Sequence, residues 1–253
     1  PDPSWFKHAK DFDQIITYTK YGFDEIQKIK RLKNLEVIPH GFDTKNFFEQ
    51  SGQKEECRKR VGIPQGKFVI GTVNKNQPRK DMANALIAFA EFKDTLPKGH
   101  NVCLYLHTYY DDPTGVNLRT VGDKLGLVWE KDYTMPMHKK YTDGAYTLSD
   151  MNDVYNSFDV FLTTSTAEGW GLTLTEAMLA GNPIIANSTG GVQDQMRFTD
   201  EKNNWIDFTS GSSVGGAIKP IKTSSLSRIN PISGTETAGA KTSGKKTVVI
   251  KTK

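Results

Sequence analysis

Cysteine is scarce. Among 253 residues only Cys57 and Cys103 occur, far apart and at no ligand spacing. Two isolated thiols point to ordinary packing in a reducing compartment, with a disulfide or a catalytic thiol as the lesser alternatives. Histidines at positions 8, 40, 100, 107 and 138 form no H-x-x-x-H or similar cluster, so no protein-bound metal is expected. No apolar run approaches the ~18 residues that span a bilayer, and no signal peptide opens the chain. Neither G-x-G-x-x-G after the first strand nor G-x-x-x-x-G-K-[ST] is present, so the nicotinamide, flavin and P-loop fingerprints are lacking. The first residue is Pro1 rather than methionine, which leads us to expect a fragment or a processed chain.

Positive charge is also missing from most of the chain, although the formal total is +4. Residues 211–253 hold seven lysines and one arginine against one glutamate, a local balance of +7. The remainder is slightly acidic and offers no polycationic face for nucleic acid. The same tail has no Phe, Tyr or Trp, and 19 of its 43 residues are Gly, Ser or Thr. Such a composition buries too little apolar surface to offset its ordering entropy, so an irregular tail is expected. Its end, "KTVVIKTK", could form a strand if another strand pairs with it.

What remains is rich in alternating elements. "KFVIGTVN", "NVCLYLHTYY", "DVFLTTS" and "PIIANS" read as buried strands, and "DYTMPM" as a further strand or extended segment. Between them lie helical patterns: "KDMANALIAFAEFKDTL", "TVGDKLGL", "SDMNDVYNSF" with Ser149 as N-cap, and "TLTEAMLAG". Strands without internal polar alternation, separated by helices, predict an α/β fold with a parallel, doubly wound, Rossmann-like sheet. Ahead of it come a strand near Gln14–Tyr18, an amphipathic helix to Lys30 and a strand at Val37-Ile38. The expected divisions are 1–45, 46–210 and 211–253.

In such sheets ligands bind beyond the carboxyl ends of the strands. The loop "NKNQPRKD" puts Arg79 and Lys80 just before a helix, as a phosphate clamp or as solvated loop charges. The loop "AEGWGL" carries Glu168, with Gly169 and Gly171 allowing close backbone approach. Glu176 follows, with seven residues between it and Glu168. On one helix the two acids would lie about 12 Å apart along the axis, whereas with Glu168 in a loop both can face one elongated ligand. Thr173 and Glu176 also match a capping box, which is the competing reading. Trp170 could be a wall of the site or a core aromatic.

E-G-W-G-L-T-L-T-E-A-M resembles the E-x7-E motif of retaining GT-B glycosyltransferases, specifically the large family 4. "VIPHGFD", "GTVNKNQPRKD", "SDMNDVYNSFDVFLTTSTAEGWG" and "AGNPIIANSTGG" agree in order and spacing, over roughly residues 12–205. The resemblance implies a donor-binding half whose co-substrate is a nucleotide-diphosphate sugar, with no cofactor and no metal. It implies that Arg79 and Lys80 hold the diphosphate, that Glu168 contacts the transferred sugar and that Glu176 bonds the ribose. Amides from Gly169 through Trp170, Gly171 and Leu172 to Thr173 would line the sugar and phosphates. His40 and Gly41 would sit at the hinge, and His107 and Met135 to Met137 near the base. Implied partners are the donor, an acceptor (glycan, lipid or protein) and an N-terminal domain of which residues 1–40 look like the last strand and helix. A cytoplasmic location follows, with peripheral membrane association allowed. Lys75 departs from the pattern, standing where many relatives carry arginine. A non-catalytic nucleotide- or protein-binding relative, and another GT-B activity such as a sugar-nucleotide epimerase or a phosphorylase, are the alternatives.

Overall fold

The structure, a computed structural model, describes residues 2–136 and 141–196, with strand backbones at 198–199, 205–206 and 247–250. Its main sheet is built from β3 (Phe68–Val73), β4 (Val102–His107), β5 (Tyr133–Thr134), β6 (Val160–Thr163) and β7 (Ile184–Asn187), in the order β7-β6-β3-β4-β5. All four pairings among these five strands are parallel. Every residue of β4 is buried, and so is β3 after Phe68. That is what a sheet covered on both faces requires.

Alternate side chains of β3 show how the covering is divided. Val69 and Val73 point into one core, with Phe161 of β6 and helices α2 (Lys54–Val61), α5 (Leu148–Asn156) and α6 (Leu172–Leu179). Ile70 points into the other, with Leu104 and Leu106 of β4 and helices α3 (Met82–Asp94) and α4 (Leu118–Lys124). The doubly wound sheet read from the sequence is present. Within the stretch read as a strand or extended segment, Tyr133–Thr134 form a strand. At the opposite end from the loops that matter below, Arg58 is 2% exposed and ties α2 to the sheet. It donates to Ser157 O (2.8 Å), Lys67 O (2.9 Å) and Asp159 Oδ2 (2.7 Å).

Two helix starts differ from the sequence reading. Thr147, not Ser149, caps α5, because its hydroxyl accepts from Asp150 N while the Asp150 carboxylate returns to Thr147 N in a complete capping box. The Thr173–Glu176 box does not form at α6. Gly171, with φ 98°, occupies the N-cap and contributes no side chain, and Glu176 is drawn inward to another partner.

Ahead of the main sheet, β1 (Ile15–Thr17) and β2 (Leu35–Val37) pair in parallel as a separate two-stranded sheet. Helix α1 (Lys20–Ile29) connects them, its start capped by the Thr19 hydroxyl accepting from Gly22 N. This unit meets the larger one through α7 (Val192–Gln195), where Tyr21 N donates to Asp194 Oδ2 at 3.2 Å. Beyond α7, β8 (Phe198–Thr199) and β9 (Trp205–Ile206) pair antiparallel. Most of the segment 211–253 lies outside the described residues. Its described stretch, β10 (Thr247–Ile250), is not irregular but adds antiparallel to β7. No described helix is long and apolar enough to cross a membrane.

Candidate functional site

The strand order changes direction at β3: the chain moves outward to β4 and β5, then returns to lay β6 on the other side. The loops leaving β3 and β6 therefore diverge and leave a crevice between them, where ligands of open α/β sheets bind. These are the loops that carry Arg79-Lys80 and Glu168.

Hydrogen bonds to three successive main-chain carbonyls hold the two loops together. Thr166 N donates to Arg79 O at 2.7 Å, and the Thr164 hydroxyl donates to Lys80 O (3.0 Å) and Asp81 O (2.8 Å). Arg79 and Lys80 lie on a 3-10 turn, Pro78–Lys80, that ends at Asp81 in the left-handed conformation (φ 53°). A non-glycine residue there is uncommon, and the crossing bonds from Thr164 and Thr166 hold the turn in place. Asn76 anchors the other flank, its buried amide donating to Val116 O at 2.7 Å.

At the centre one carboxylate faces two cations. Arg79 Nη1 donates to Glu168 Oε2 at 2.9 Å, and Lys80 Nζ donates to Glu168 Oε1. The Lys80 and Glu168 side chains are 11% and 10% exposed, against 49% for Arg79, so the lysine pair is the desolvated one. Burial alone would push the Glu168 carboxyl up. The Lys80 ammonium, aided by Ser165 and Arg79, outweighs it and holds the group below the usual carboxylate value.

A cavity of about 310 Å³ opens beside this triad. Lys80, Glu168 and residues Gly169 through Thr173 line it, and Tyr18 and His40 close it from the N-terminal unit. The rings of Tyr18, His40 and Trp170 follow one another at centroid separations of 5.1 and 6.4 Å. Leu172 and Thr173 open α6, and no side chain caps that helix and no acid occupies its first turn. Its orphan amides and positive dipole end thus favour an anion.

The remaining expected site residues stand elsewhere. Glu176 lies on α6 about 6 Å further along the axis than Leu172, and accepts from the fully buried Tyr155 hydroxyl at 2.5 Å. Its burial pushes the carboxyl up, only partly offset by that bond. His107 is buried at the end of β4, 3.2 Å from the Tyr105 hydroxyl and against the rings of Tyr141 and Tyr146. Met135 is part of the core on the α3 side. Arg79, Glu176, His107, Met135 and Gly41 are not among the cavity's lining residues, and Arg79 reaches the site through Glu168. Met137 lies outside the described residues. Lys75 turns to Asp112, at 3.7 Å. Among the described residues, no three His, Cys, Asp or Glu side chains gather as metal ligands.

Support for the glycine loop comes from residues to which the sequence reading gave no role. Gly191 N donates to Glu168 O at 2.7 Å, and a Cβ on Gly191 would sit 1.9 Å from Gly169 O. Only glycine permits that contact. The GG dipeptide after a strand was a legible signal for it. Gln195 gave none, yet its side chain binds the Trp170 and Gly171 carbonyls.

A sequence profile described as glycosyl transferases group 1 matches residues 142–222, the stretch that holds α5, β6, the Glu168 loop and α6. Over these residues the chain is similar to the group 1 glycosyltransferases. Among curated relatives, the alpha-monoglucosyldiacylglycerol synthase of Acholeplasma laidlawii is 28% identical over 71% of this chain and 42% of its own length. The trehalose synthase of Pyrococcus horikoshii is 28% identical over 75% and 44%. The chain thus spans about half the length of the curated relatives it matches. Among solved structures, Anabaena HepE in complex with UDP and glucose superposes with a TM-score of 0.57 at 20% identity, covering 76% of this chain and 50% of that one. The sucrose-phosphate synthase of Thermosynechococcus elongatus gives 0.59 at 19% identity, over 76% and 46%. At such identities these structures establish the GT-B fold of the domain.

Proposed function

We propose that this chain is the donor-binding half of a glycosyltransferase that moves a sugar from a nucleotide-diphosphate sugar to an acceptor with retention of configuration. One observation carries the reading: at the switch point of the sheet, Arg79 and Lys80 converge on Glu168 beside an uncapped helix start. When the glycosidic bond to the diphosphate breaks, negative charge grows on the phosphate oxygens. Two cations and the α6 amides supply fixed stabilisation for that charge. Glu168, once turned from the cations, can accept hydrogen bonds from sugar hydroxyls, and Glu176 is assigned to the ribose. The aromatic wall of Tyr18, His40 and Trp170 suits the apolar face of a hexose ring. A hexosyl donor is therefore proposed, with uridine diphosphate as the first probe because the HepE neighbour binds it. We assign no metal to the reaction, the acceptor site to a further domain, and the place of action to the cytoplasm.

Calorimetry on the chain with UDP, GDP and ADP tests this. Binding of one of them is expected, and it should disappear when Lys80→Met is combined with Glu168→Gln. The double change removes the cation without leaving a buried carboxylate unpaired. A folded chain that binds none of the three nucleotides refutes the proposal. A second reading is a nucleotide-binding relative without turnover, favoured by Glu176, which is bonded to the Tyr155 hydroxyl and does not line the cavity. It predicts the same binding but no sugar transfer when the chain is joined to whatever further domain its gene encodes.

A further inference from the structure

Trp170 presents two polar groups that its position half-buries: the indole N–H and the main-chain carbonyl. A buried indole N–H needs an acceptor, and here Nε1 donates to Thr175 Oγ1 at 2.9 Å. That hydroxyl, on a residue 7% exposed, donates its own proton to Gln195 Oε1 at 2.7 Å. Gln195 Nε2 then donates back to Trp170 O at 2.5 Å and to Gly171 O at 3.2 Å. The bonds run in one direction around a closed ring: indole to hydroxyl, hydroxyl to amide, amide to the carbonyl of the same tryptophan. Each donor polarises the next, and each member is satisfied.

Gln195 itself does not line the cavity; Trp170, Gly171 and Leu172 do. It stands behind the loop, on a short helix that the N-terminal unit also grips through Asp194. It binds two successive carbonyls, that of Trp170 and that of Gly171, which the Leu174 and Thr175 amides also hold at 3.0 and 3.3 Å, and so it adds to what orients the two peptide planes that contain them. Those planes contain the amides of Gly171 and Leu172 at the mouth of α6. Gly171 holds φ 98°, a conformation with little intrinsic preference of its own, so an external restraint determines where its neighbours point.

We propose that Gln195 is a positioning residue. Through the ring with Thr175 and Trp170, it holds the Gly171 and Leu172 amides and the indole wall in the geometry that receives the donor's diphosphate. The inference rests on the donor-binding reading above. Gln195 is never in contact with ligand; its effect is carried by Trp170 and by the peptide planes on either side of Gly171.

The informative change is Gln195→Glu, which keeps the shape but replaces the donating amide with a carboxylate facing two carbonyls. Two measurements are made on the whole chain. In nitrogen-15 NMR, the Trp170 indole resonance, assigned by Trp170→Phe, reports the ring without ligand. Calorimetry with UDP reports positioning. At pH 7 the indole resonance should shift and UDP should bind at least tenfold more weakly than to wild type. Near pH 5 the introduced carboxyl, once protonated, can donate again, so the ratio to wild type at the same pH should shrink. Gln195→Met, which cannot donate at any pH, should show no such recovery. An unmoved indole resonance overturns the ring. A shifted resonance with unchanged UDP affinity, or a loss without pH recovery that matches Gln195→Met, overturns the positioning role and leaves Gln195 a packing residue. Wild type binding no nucleoside diphosphate overturns the donor reading and the ring's ligand-directed role with it; the indole resonance distinguishes that result from failure of the ring.

Discussion

Glu168 occupies the cations that a diphosphate would need, so neutralising it should tighten nucleoside diphosphate binding. The perturbation is Glu168→Gln. In the resting chain the carboxylate takes one charge-assisted bond from Arg79 at 2.9 Å and another from Lys80. The Arg79 pair is about half exposed and counts for little, a few tenths of a kcal/mol in the usual range. The Lys80 pair is desolvated on both sides, and bonds between charged groups in such settings carry about 1.5–3 kcal/mol. Arrival of the phosphates must break these contacts, so their absence in the variant should improve UDP affinity by about 2 kcal/mol, roughly thirtyfold. A sugar-bearing donor should gain less, because the variant also loses an acceptor for the sugar hydroxyls. Calorimetry with UDP and with UDP-glucose, at low and high ionic strength, reads both numbers. UDP binding to the variant no tighter than to wild type would show that Glu168 is not the competing anion and would sink the argument.

Other perturbations have outcomes of their own. Gly191→Ala drives a Cβ onto the Gly169 carbonyl, so a loss of about 1–3 kcal/mol is expected from the clash, seen as a lower melting temperature together with weaker UDP binding. Arg58→Met leaves Asp159 with only Lys54 and the Val69 amide as partners, and breaking a buried pair costs about 3–5 kcal/mol. Thermal unfolding should fall by about ten degrees or more, and an unchanged midpoint would show that the pair is not stabilising. The two site glutamates should depend on pH in opposite ways. Glu168, held below its ordinary value of 4.5, contributes stability above that pH and loses it as pH falls through the depressed value. Glu176, raised above 4.5, destabilises increasingly as pH rises from there through its folded value. Glu176→Gln, which can still accept from Tyr155, should therefore raise the melting temperature at pH 7 but not at pH 4, and a lower midpoint at pH 7 would contradict this.

Much of the fold was legible because the strands are short, continuous apolar runs and the helices between them have caps or closing glycines. The charged loops were legible too, since an Arg-Lys pair and an E-G-W-G loop each follow a strand. Where the reading went astray, a local rule met a tertiary demand. Thr173 and Glu176 have capping-box spacing, but Gly171 takes the N-cap position and the buried Tyr155 hydroxyl draws Glu176 inward, a contact between α5 and α6 that no window along the chain contains. Ser149 lost to Thr147 because the residue three places on from Thr147 is an aspartate that can complete the box. Gln195 was invisible for a different reason. A glutamine on a four-residue helix carries no signal until the loop it supports is folded over it. The β10 strand could be named only conditionally, because its partner β7 lies about sixty residues upstream and pairing at that separation leaves no mark on composition.

The bond from Thr166 to the Arg79 carbonyl, with those from Thr164 to the next two carbonyls, makes the cation loop and the carboxylate loop one stiff rim. A rim stitched at three successive carbonyls resists separation of the two loops at that point. Exchanging Glu168 for a phosphate is then a matter of side-chain rotation away from Arg79 and Lys80 rather than of movement of the rim. On the proposed reading, a donor would meet this wall already formed, and the only rearrangement asked of it would be that of the Glu168 side chain.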